Sequence, residues 1–415
     1  MIFIIYGLLY DTVINLYKPF AVKYLERLGG TNLHITLYNS VPGVVAVVVL
    51  LPCLFILGRF KKKRRITAAF IFLARLTILA MAFTELFPVY MRPLIFVGLI
   101  SFLNFPEAVS QSSMQSILGV AFGGKERALA LSARNQFGNF FIMLVTLISG
   151  LVISFIPQTD EQRMLCYQLF FVFAFLLGLL EVFFFSRMDE KNNPSYTVDS
   201  EDKPPRIKDI GTIFKDKRFL AFAGLSILYY IVYHGGWAIS SIYTIKSLGA
   251  NEIWLALFAV ISGLASFFSA PLWNKFINRK GNDYALIASC YIMGINTLVI
   301  VLSQNLYVLL FQSIINGLGV IGFNVTFLNG LLINTPVKNR ILYIGMYNTF
   351  VNLSLGLSPL LVQAFMDVTD VRAALFLIGF LRIIVSSVIL YFLVLRKSGT
   401  LGDILKNHLK LSKKD

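Results

Sequence analysis

The sequence predicts an all-α integral membrane protein whose twelve transmembrane helices form two pseudo-symmetric six-helix bundles. Composition is the first observation behind this prediction: the 415 residues are 57 % hydrophobic, with a mean hydropathy of +0.74. Only 14 % are Asp, Glu, Lys or Arg, against about 25 % in soluble domains. The net charge is nevertheless +16. These values exclude an ordinary soluble enzyme and a disordered chain. They leave nucleic acid or membrane topology as the source of the positive charge.

Long apolar runs are the second observation. A transmembrane helix needs about 20 mostly apolar residues, and twelve runs meet this requirement. They are continuous, whereas barrel strands alternate in stretches of about ten residues. No small-residue cleavage site follows the first run, so we expect a span rather than a removable signal peptide. The predicted spans are 2–22, 33–57, 66–88, 93–120, 128–156, 162–186, 219–246, 252–277, 283–303, 306–335, 341–366 and 371–395.

The distribution of basic residues is the third observation. Of the 37 Lys and Arg residues, 27 lie on connections after even-numbered spans or in the tail, and seven lie on the other side. Because cytoplasmic connections carry the excess of Lys and Arg, this bias predicts both termini in the cytoplasm, at a bacterial plasma membrane. Topology therefore accounts for the charge without nucleic-acid binding. The three remaining basic residues lie within spans and are Arg75, Arg134 and Arg382.

A polar stretch at 187–218 divides the chain into an N-terminal half, 1–186, and a C-terminal half, 219–396. Its Pro204-Pro205 pair predicts a partly flexible linker. Residues 207–219 mix apolar and charged side chains, so they predict either a short helix on the membrane surface or a solvated connector. The basic tail, 397–415, allows the same two interpretations.

The two halves share an internal repeat. Leu28-Gly29 corresponds to Leu248-Gly249 at a spacing of 220, and the pattern R-x7-N-x-F-x-N begins at both Arg127 and Arg340. Several matches in the same order indicate duplication. Two halves of like orientation predict a pseudo-two-fold axis along the membrane normal, with a site between them near the midplane.

At these connections the chain resembles the major facilitator superfamily. The family's D-R-x-G core has its counterpart after span eight in Asn278-Arg279-Lys280-Gly281, and the connection after span two is basic but lacks the acid. The resemblance implies the family's fold and a rocking-bundle mechanism of alternating access. It also implies gating roles at the cytoplasmic side for Arg59, Arg127, Asn278, Arg279 and Arg340.

Polar residues at membrane depth are the candidate site. A charge at the centre of a helix costs roughly 2.5–3.5 kcal/mol on the insertion scale, so each needs a reason. Asp11, Asn15 and Lys18 share one face of span one, and Glu107 and Gln111, four residues apart, share one face of span four. In the superfamily, spans one and four line the central cavity. The resemblance therefore places both carboxylates there.

A low-dielectric cavity raises the pKa of carboxyl groups, which suits them to exchanging protons as the cavity alternates between sides. We therefore predict that Asp11 and Glu107 couple transport to protons. The alternative is a fixed ion pair with Arg134 or Lys18 that only holds helices together. Arg134 could also bind an anionic group of the substrate.

Aromatic and amide side chains extend the candidate binding site. An aromatic stripe on one face of span seven predicts contact with an amphipathic organic ligand or a belt at the membrane interface. Its predicted binding residues are Tyr229, Tyr230, Tyr233, His234 and Trp237. The side-chain amides within the spans are predicted either to line the transport pathway or to form hydrogen bonds between helices. They are Asn135, Asn139, Gln312, Asn316, Asn348 and Asn352. Arg75 and Glu181 form a candidate structural pair, and Arg382 has no predicted role.

The sequence has no P-loop, and its three cysteines and three histidines suggest neither a metal nor a cofactor. The leading prediction is a monomeric secondary transporter, not an enzyme, that moves a small amphipathic or aromatic organic solute with protons. Export is favoured over import. The alternatives are a membrane-embedded enzyme acting on lipids and a non-transporting sensor of the same fold.

Overall fold

The computed structural model describes residues 2–56, 63–121, 124–187, 210–336 and 340–395. Within these ranges, 11 helices are long and apolar enough to cross a membrane, and α1 adds a shorter twelfth. The predicted all-α membrane fold of twelve helices is confirmed. The twelve are α1 (Ile2–Asn15), α3 (Asn32–Ile56), α4 (Lys63–Ala82), α5 (Arg92–Ala121), α6 (Gly124–Phe155), α7 (Asp160–Ser186), α9 (Lys217–Ile242), α10 (Glu252–Lys280), α11 (Asn282–Leu302), α12 (Leu306–Asn334), α13 (Arg340–Val368) and α14 (Val371–Leu390). Two short helices are α2 (Ala21–Arg27) and α8 (Ile210–Ile213).

The first span is not one continuous helix, so the predicted run 2–22 is wrong at its C-terminal end. Helix α1 ends at Asn15, and a short 3₁₀ turn at Lys18–Phe20 leads into α2. Pro19 explains the break, because a proline ring clashes with the carbonyl four residues earlier and lacks an N–H donor. That carbonyl belongs to Asn15. Lys18 therefore does not continue the face of Asp11 and Asn15, and its side chain is exposed.

Polar N-caps fix where several helices begin. Thr159 accepts a hydrogen bond from the backbone N–H of Gln162 at the start of α7, and Asp216 accepts two at the start of α9. Asn251, Asn305 and Asp370 cap α10, α12 and α14 in the same way. Such caps satisfy backbone donors that have no partner inside the helix. They also end the apolar segments at the points where the chain turns.

The linker prediction is only partly covered by the described residues. Helix α7 ends at Ser186, and α9 begins at Lys217, two residues before the predicted start of span seven. Residues 188–209 and the tail from 396 lie outside the described part of the chain. Of the predicted surface helix, the described portion comprises α8 and the first turn of α9.

The halves meet along two equivalent pairs of helices. Helix α3 packs against α13, and α6 packs against α10. In span numbers these pairs are two with eleven and five with eight, which a two-fold repeat of six spans interchanges. A Cβ at Gly43 would lie 2.6 Å from the backbone nitrogen of Gly356, so glycine allows the close approach of α3 and α13. The pairing matches the duplication seen in the sequence.

Candidate functional site

An ionic cluster lies inside the N-terminal half, and we call Arg75, Glu107 and Glu181 the acid cluster. Arg75 Nε donates to Glu181 Oε2 at 2.8 Å and Nη2 donates to Oε1 at 3.1 Å. Arg75 Nη1 also donates to Glu107 Oε1 at 3.3 Å. The predicted Arg75–Glu181 pair is therefore present. The sequence did not indicate that Glu107 shares its partner.

The two carboxylates of the acid cluster differ in exposure. The side chain of Glu181 is fully buried, whereas that of Glu107 is 20 % exposed. Glu181 has the two-point contact with the guanidinium, and Glu107 has a single longer one. Two-point contacts between arginine and a carboxylate are the stronger kind. Arg75 and Glu181 therefore form a buried neutral pair, and Glu107 is the additional acid at its edge.

Glycine lets this arginine fit between α4 and α7. A Cβ at Gly178 would lie 2.5 Å from Cγ and 2.6 Å from Cδ of Arg75. The arginine stem thus occupies the space of a side chain on the next helix. On the other side, the ring of Tyr10 lies 5.4 Å from the guanidinium carbon. The geometry holds the stem as well as the charged head in place.

Asp11 follows Tyr10 on α1, and the ring of Tyr10 lies against the guanidinium of Arg75. Asp11 is 8 % exposed, and its carboxylate fills the space that a side chain at Gly138 would take. Asn15 donates to the Asp11 backbone carbonyl at 2.7 Å, so its amide bonds within its own helix. Gln111 donates to the hydroxyl of Tyr10. Arg134 and Asn135 have side chains outside the described part of the structure.

The C-terminal half contains a polar cavity of about 490 Å³, which we call the Arg382 cavity. Residues of α9, α10, α11, α12 and α14 line it, and Pro19, Val22 and Asn39 of the N-terminal half close one side. Four residues of the predicted binding site reach it. They are Tyr233, Trp237, Gln312 and Asn316.

Arg382 is 3 % exposed, and neutral acceptors hold its guanidinium. Nη2 donates to the Tyr233 carbonyl at 2.7 Å, and Nε donates to the Val232 carbonyl at 3.2 Å. Nη1 donates to the Met293 carbonyl and to the Thr297 hydroxyl. These acceptors orient the guanidinium, but none of them carries a formal negative charge.

A chain of amide hydrogen bonds crosses the same cavity. Gln312 Nε2 donates to Asn296 Oδ1 at 2.6 Å, and Asn296 Nδ2 donates to Asn316 Oδ1 at 3.3 Å. Asn316 Nδ2 then donates to the Ser262 hydroxyl oxygen at 3.0 Å. The hydroxyl hydrogen of Ser262 is thus available to another acceptor. Asn296 and Ser262 were absent from the predicted site, because their spacing to the predicted amides gives no signal in the sequence.

The rest of the aromatic stripe packs inside the C-terminal half. Tyr229 is fully buried and donates to the Cys290 carbonyl at 2.8 Å. His234 is 4 % exposed, and its Nδ1 lies 2.9 Å from the Ser354 hydroxyl. The Tyr230 ring lies 5.2 Å from the His234 ring. Tyr233 and Trp237 therefore line the cavity, whereas Tyr229, Tyr230 and His234 pack inside the C-terminal half without lining it.

The remaining predicted residues are spread over other surfaces. Asn139 and Asn348 are exposed, and Asn352 donates within its own helix to the Asn348 carbonyl at 2.8 Å. Asn278 and Arg279 are exposed in the last turn of α10. For the gating positions 59, 127 and 340, the arginine side chains lie outside the described residues.

A buried ion pair ties the halves together at one end. We call Arg27, Asp160, Tyr167 and Glu252 the latch. Arg27 Nε donates to Glu252 Oε1 at 2.7 Å and Nη1 donates to Asp160 Oδ1 at 2.9 Å, while the Tyr167 hydroxyl donates to Glu252 Oε1 at 2.9 Å. The Glu252 side chain is 1 % exposed, and that of Asp160 is 80 % exposed. Burial alone would lower the pKa of the Arg27 guanidinium, but the hydrogen bond and charge of Glu252 outweigh it and raise that pKa above its ordinary value.

Two further contacts join the halves at the latch end. Lys246 Nζ donates to the Gly30 carbonyl at 2.9 Å, and the Thr36 hydroxyl donates to Gln363 Oε1 at 2.7 Å. The latch lies on the side that the basic-residue distribution assigns away from the cytoplasm. Sequence reasoning missed it, because a single acid at the start of span eight gives no indication of its partner.

No set of three or more His, Cys, Asp or Glu side chains among the described residues is arranged to hold a metal ion. The candidate site therefore consists of the acid cluster, the Arg382 cavity and the latch between the halves.

Comparison with known proteins identifies the family. The sequence profile of the Major Facilitator Superfamily matches residues 3–334 and 235–409. No curated protein sequence matches the chain.

Solved structures share the fold. The nucleoside transporter NupG is 13 % identical with a TM-score of 0.67, and 94 % of this chain covers 97 % of that one. A D-xylose-proton symporter is 16 % identical with a TM-score of 0.66, with coverage of 96 % and 98 %. A POT family transporter in complex with 5-aminolevulinic acid is 13 % identical with a TM-score of 0.67, with coverage of 94 % and 95 %. The chain thus belongs to the Major Facilitator Superfamily and is an integral membrane protein with the fold of its transporters.

Proposed function

We propose that this protein is a secondary active transporter that moves a small amphipathic or aromatic organic solute together with protons. Its membership of a transporter superfamily supports the general activity. The similar structures are a nucleoside transporter, a D-xylose-proton symporter and a complex with 5-aminolevulinic acid, so the solute of this protein has to be argued from its own residues. We place the protein as a monomer in a bacterial plasma membrane, with both termini in the cytoplasm.

The observation that carries the proton proposal is the sharing of Arg75 by two carboxylates. The Arg75–Glu181 pair is neutral and has the better geometry. A proton on Glu107 would remove the surplus negative charge and leave that pair intact. Because an unneutralised charge in a membrane span is costly, an acid in this position gains from protonation when water leaves its surroundings. Asp11, on the neighbouring face of α1, is proposed as the second coupling group.

The solute proposal rests on the Arg382 cavity. Its volume of about 490 Å³ falls within the roughly 300–1,000 Å³ typical of small-molecule sites. Tyr233 and Trp237 supply aromatic faces, and the amide chain through Gln312 and Asn316 supplies polar contacts. This mixture suits an amphipathic organic molecule better than a simple ion. The remaining predicted amides, among them Asn139, Asn348 and Asn352, are proposed to lie along the route to it.

The latch supports a mechanism of alternating access. It joins α2 and α7 of one half to α10 of the other at the end assigned away from the cytoplasm. Opening that end requires the Arg27–Glu252 ion pair to break, so the latch would hold the conformation that faces the cytoplasm. Export is the favoured direction.

The test is transport in proteoliposomes. A thermal-shift screen of metabolites first supplies a solute, and counterflow of that solute then establishes transport without a proton gradient. We expect Glu107→Gln to retain counterflow and to lose accumulation driven by a pH gradient, and Asp11→Asn to weaken that accumulation. Accumulation that survives in the double variant of Asp11→Asn and Glu107→Gln would refute proton coupling through these residues.

The matched control is Glu161→Gln, the same substitution at an exposed position in the first turn of α7. It should leave both assays unchanged. Absence of counterflow with every solute that shifts the melting temperature would argue against transport and in favour of a sensor that binds without moving its ligand.

A further inference from the structure

We propose that the Arg382 cavity selects an organic anion, namely a molecule whose carboxylate or phosphate group pairs with Arg382 while its aromatic or apolar body lies against Tyr233 and Trp237. This inference names the substrate class of the cavity described above, and in that sense it rests on the proposed function.

The first step concerns charge. The sequence from 219 to 396 contains four acids, Glu252, Asp283, Asp367 and Asp370, and each lies at or beside a helix end. Arg382 lies twelve residues into α14, roughly 16 Å from its start by helix rise. Within the described part of the chain, no carboxylate lies within ion-pair distance of it. A positive charge is therefore buried at mid-depth without a negative partner.

The second step concerns what holds this charge. Three carbonyls of α9 and α11 and the Thr297 hydroxyl accept four hydrogen bonds from the guanidinium. They fix the plane of the guanidinium and satisfy most of its hydrogen-bond donors, but they leave its net charge in place. Buried charges are normally paired, because an isolated one is strongly disfavoured. A ligand anion is the partner that the protein itself does not supply.

The third step concerns access. A Cβ at Gly236 would lie 2.5 Å from Nη2 of Arg382, so the end of the guanidinium occupies the space beside a glycine on α9. Both residues line the cavity. The Tyr233 carbonyl accepts one hydrogen of Nη2, and the described part of the chain supplies no acceptor for the second hydrogen of that nitrogen, so an anion in the cavity would be its acceptor. Arginine binds carboxylate and phosphate oxygens with the same planar set of donors.

The fourth step concerns the body of the ligand. The Tyr233 ring lies 5.5 Å from that of Trp237, and Phe258 also lines the cavity. A halide ion would fill a small part of about 490 Å³. The Ser262 hydroxyl and the Gln312 amide offer further donors across the cavity. The site therefore fits an organic molecule with one anionic end.

The experiment is equilibrium dialysis of the protein in nanodiscs, with empty nanodiscs as the blank. Three probes share one ring and differ in the head group: benzoate, phenyl phosphate and the neutral isostere benzamide. We expect at least one anionic probe to bind about tenfold more tightly than benzamide. The anionic probe that binds more tightly shows whether the preferred head group is a carboxylate or a phosphate. The variant Arg382→Met should bind all three equally weakly.

A second variant protects the test against misfolding of the first. Gln312→Glu changes one atom and places a carboxylate in the same cavity, so it should also remove the preference for the anion while Arg382 stays in place. Glu161→Gln should keep the preference. Equal binding of benzamide and the anions by the wild type, or a preference that persists in both cavity variants, would overturn the inference.

This result is separable from that of the proposed function. Dialysis needs neither a proton gradient nor movement of the solute, so anion selectivity can be present in a protein whose Glu107→Gln variant still accumulates solute. Conversely, a proton-coupled transporter with no preference for anions would retain the proposed function and lose this inference.

Discussion

Among the described residues, each half of the molecule buries one arginine between the same two of its helices, and carboxylates neutralise Arg75 but not Arg382. In the N-terminal half, Arg75 on α4 fits against Gly178 on α7. In the C-terminal half, Arg382 on α14 packs its stem near Gly294 on α11. These helices are spans three and six, and spans nine and twelve. The duplicated frame has kept a buried arginine between its outer helices while exchanging which helix supplies it.

The difference between the two sites lies in their acids. Arg75 has two carboxylates, one more than it needs, whereas the partners of Arg382 within the described ranges are carbonyl and hydroxyl oxygens. A site with a surplus acid is suited to taking up a proton. A site with an uncompensated cation is suited to taking up an anion. Under the proposed function, the two repeats divide proton coupling and solute recognition between them.

The largest effect expected is on stability. Arg75→Met leaves Glu107 and Glu181 without their cation, and breaking a buried pair in this way typically costs about 3–5 kcal/mol. Arg382→Met loses hydrogen bonds to a charged group, typically about 1.5–3 kcal/mol each, but it also removes the cost of burying a charge that has no ionic partner among the described residues. The two effects offset each other, so its net cost should be small. Thermal unfolding of the two variants in one detergent should rank Arg75→Met far below Arg382→Met. Equal losses would show that the two sites do not differ in this respect.

A double variant sharpens that prediction. Replacing both members of a buried pair by apolar residues is often close to neutral, so Arg75→Met combined with Glu181→Leu should recover much of the lost melting temperature. No recovery would place the origin of the loss in packing rather than in charge.

The next largest effects are expected at two glycines that contact the buried arginines, Gly178 beside Arg75 and Gly236 beside Arg382. Gly178→Ala would meet the stem of Arg75, which cannot move without breaking its pair, and overpacking of this kind typically costs about 1–3 kcal/mol. Gly236→Ala would meet the end of the Arg382 guanidinium, 2.5 Å from Nη2, and the Ile378 Cγ2 atom at 3.2 Å. It should change binding of the anionic probes more than the melting temperature. Thermal unfolding and dialysis of both variants measure the two effects, and the reverse pattern would contradict the assignment.

A smaller effect is expected at the latch. Glu252→Gln removes the buried ion pair with Arg27, so the latch end should open more often. A membrane-impermeant maleimide should then label Ala256→Cys, a position buried behind the latch, about tenfold faster if the closed state loses about 1.4 kcal/mol. An unchanged labelling rate would show that the latch does not hold this end closed.

The smallest effect is expected from the exposed member of the latch. Asp160 is 80 % exposed and also contacts Arg27, and exposed ion pairs contribute about 1 kcal/mol at most. In the same assay, Ala256→Cys combined with Asp160→Asn should be labelled at nearly the rate of Ala256→Cys alone. A rate as high as that of Glu252→Gln would mean that exposure does not decide which contact holds the latch.

The sequence predicted the fold well because its signals are local. Apolar length, basic connections and the repeat are each visible without knowing which helices touch. The end of α1 at Asn15 was missed, although Pro19 lies four residues later. Pro106 and Pro271 lie inside continuous helices, so proline alone does not distinguish a break from a tolerated kink.

The candidate site was harder to predict, because the role of each of its residues depends on contacts with residues that are far away in the sequence. Arg75 and Glu181 were paired because the resemblance assigns their spans, three and six, to the outer supports of the fold. Glu107 was expected near Arg134 or alone, and its contact with Arg75 becomes evident only when α4 and α5 are packed. Arg382 had no role in the sequence, since the carbonyls that hold it belong to helices more than 80 residues away.

The central claim is that Glu107 is a surplus carboxylate that exchanges a proton beside a pair that stays ionised. Infrared difference spectroscopy between mildly alkaline and mildly acidic pH tests this claim directly, because it counts protonated carboxyl groups without needing a solute. We predict that the wild type gains a carboxylic acid band, that Glu107→Gln lacks it and that Glu161→Gln retains it. Glu181→Gln should suppress the band as well, since Arg75 would then serve a single carboxylate. A band that is unchanged in Glu107→Gln would contradict proton exchange at this residue.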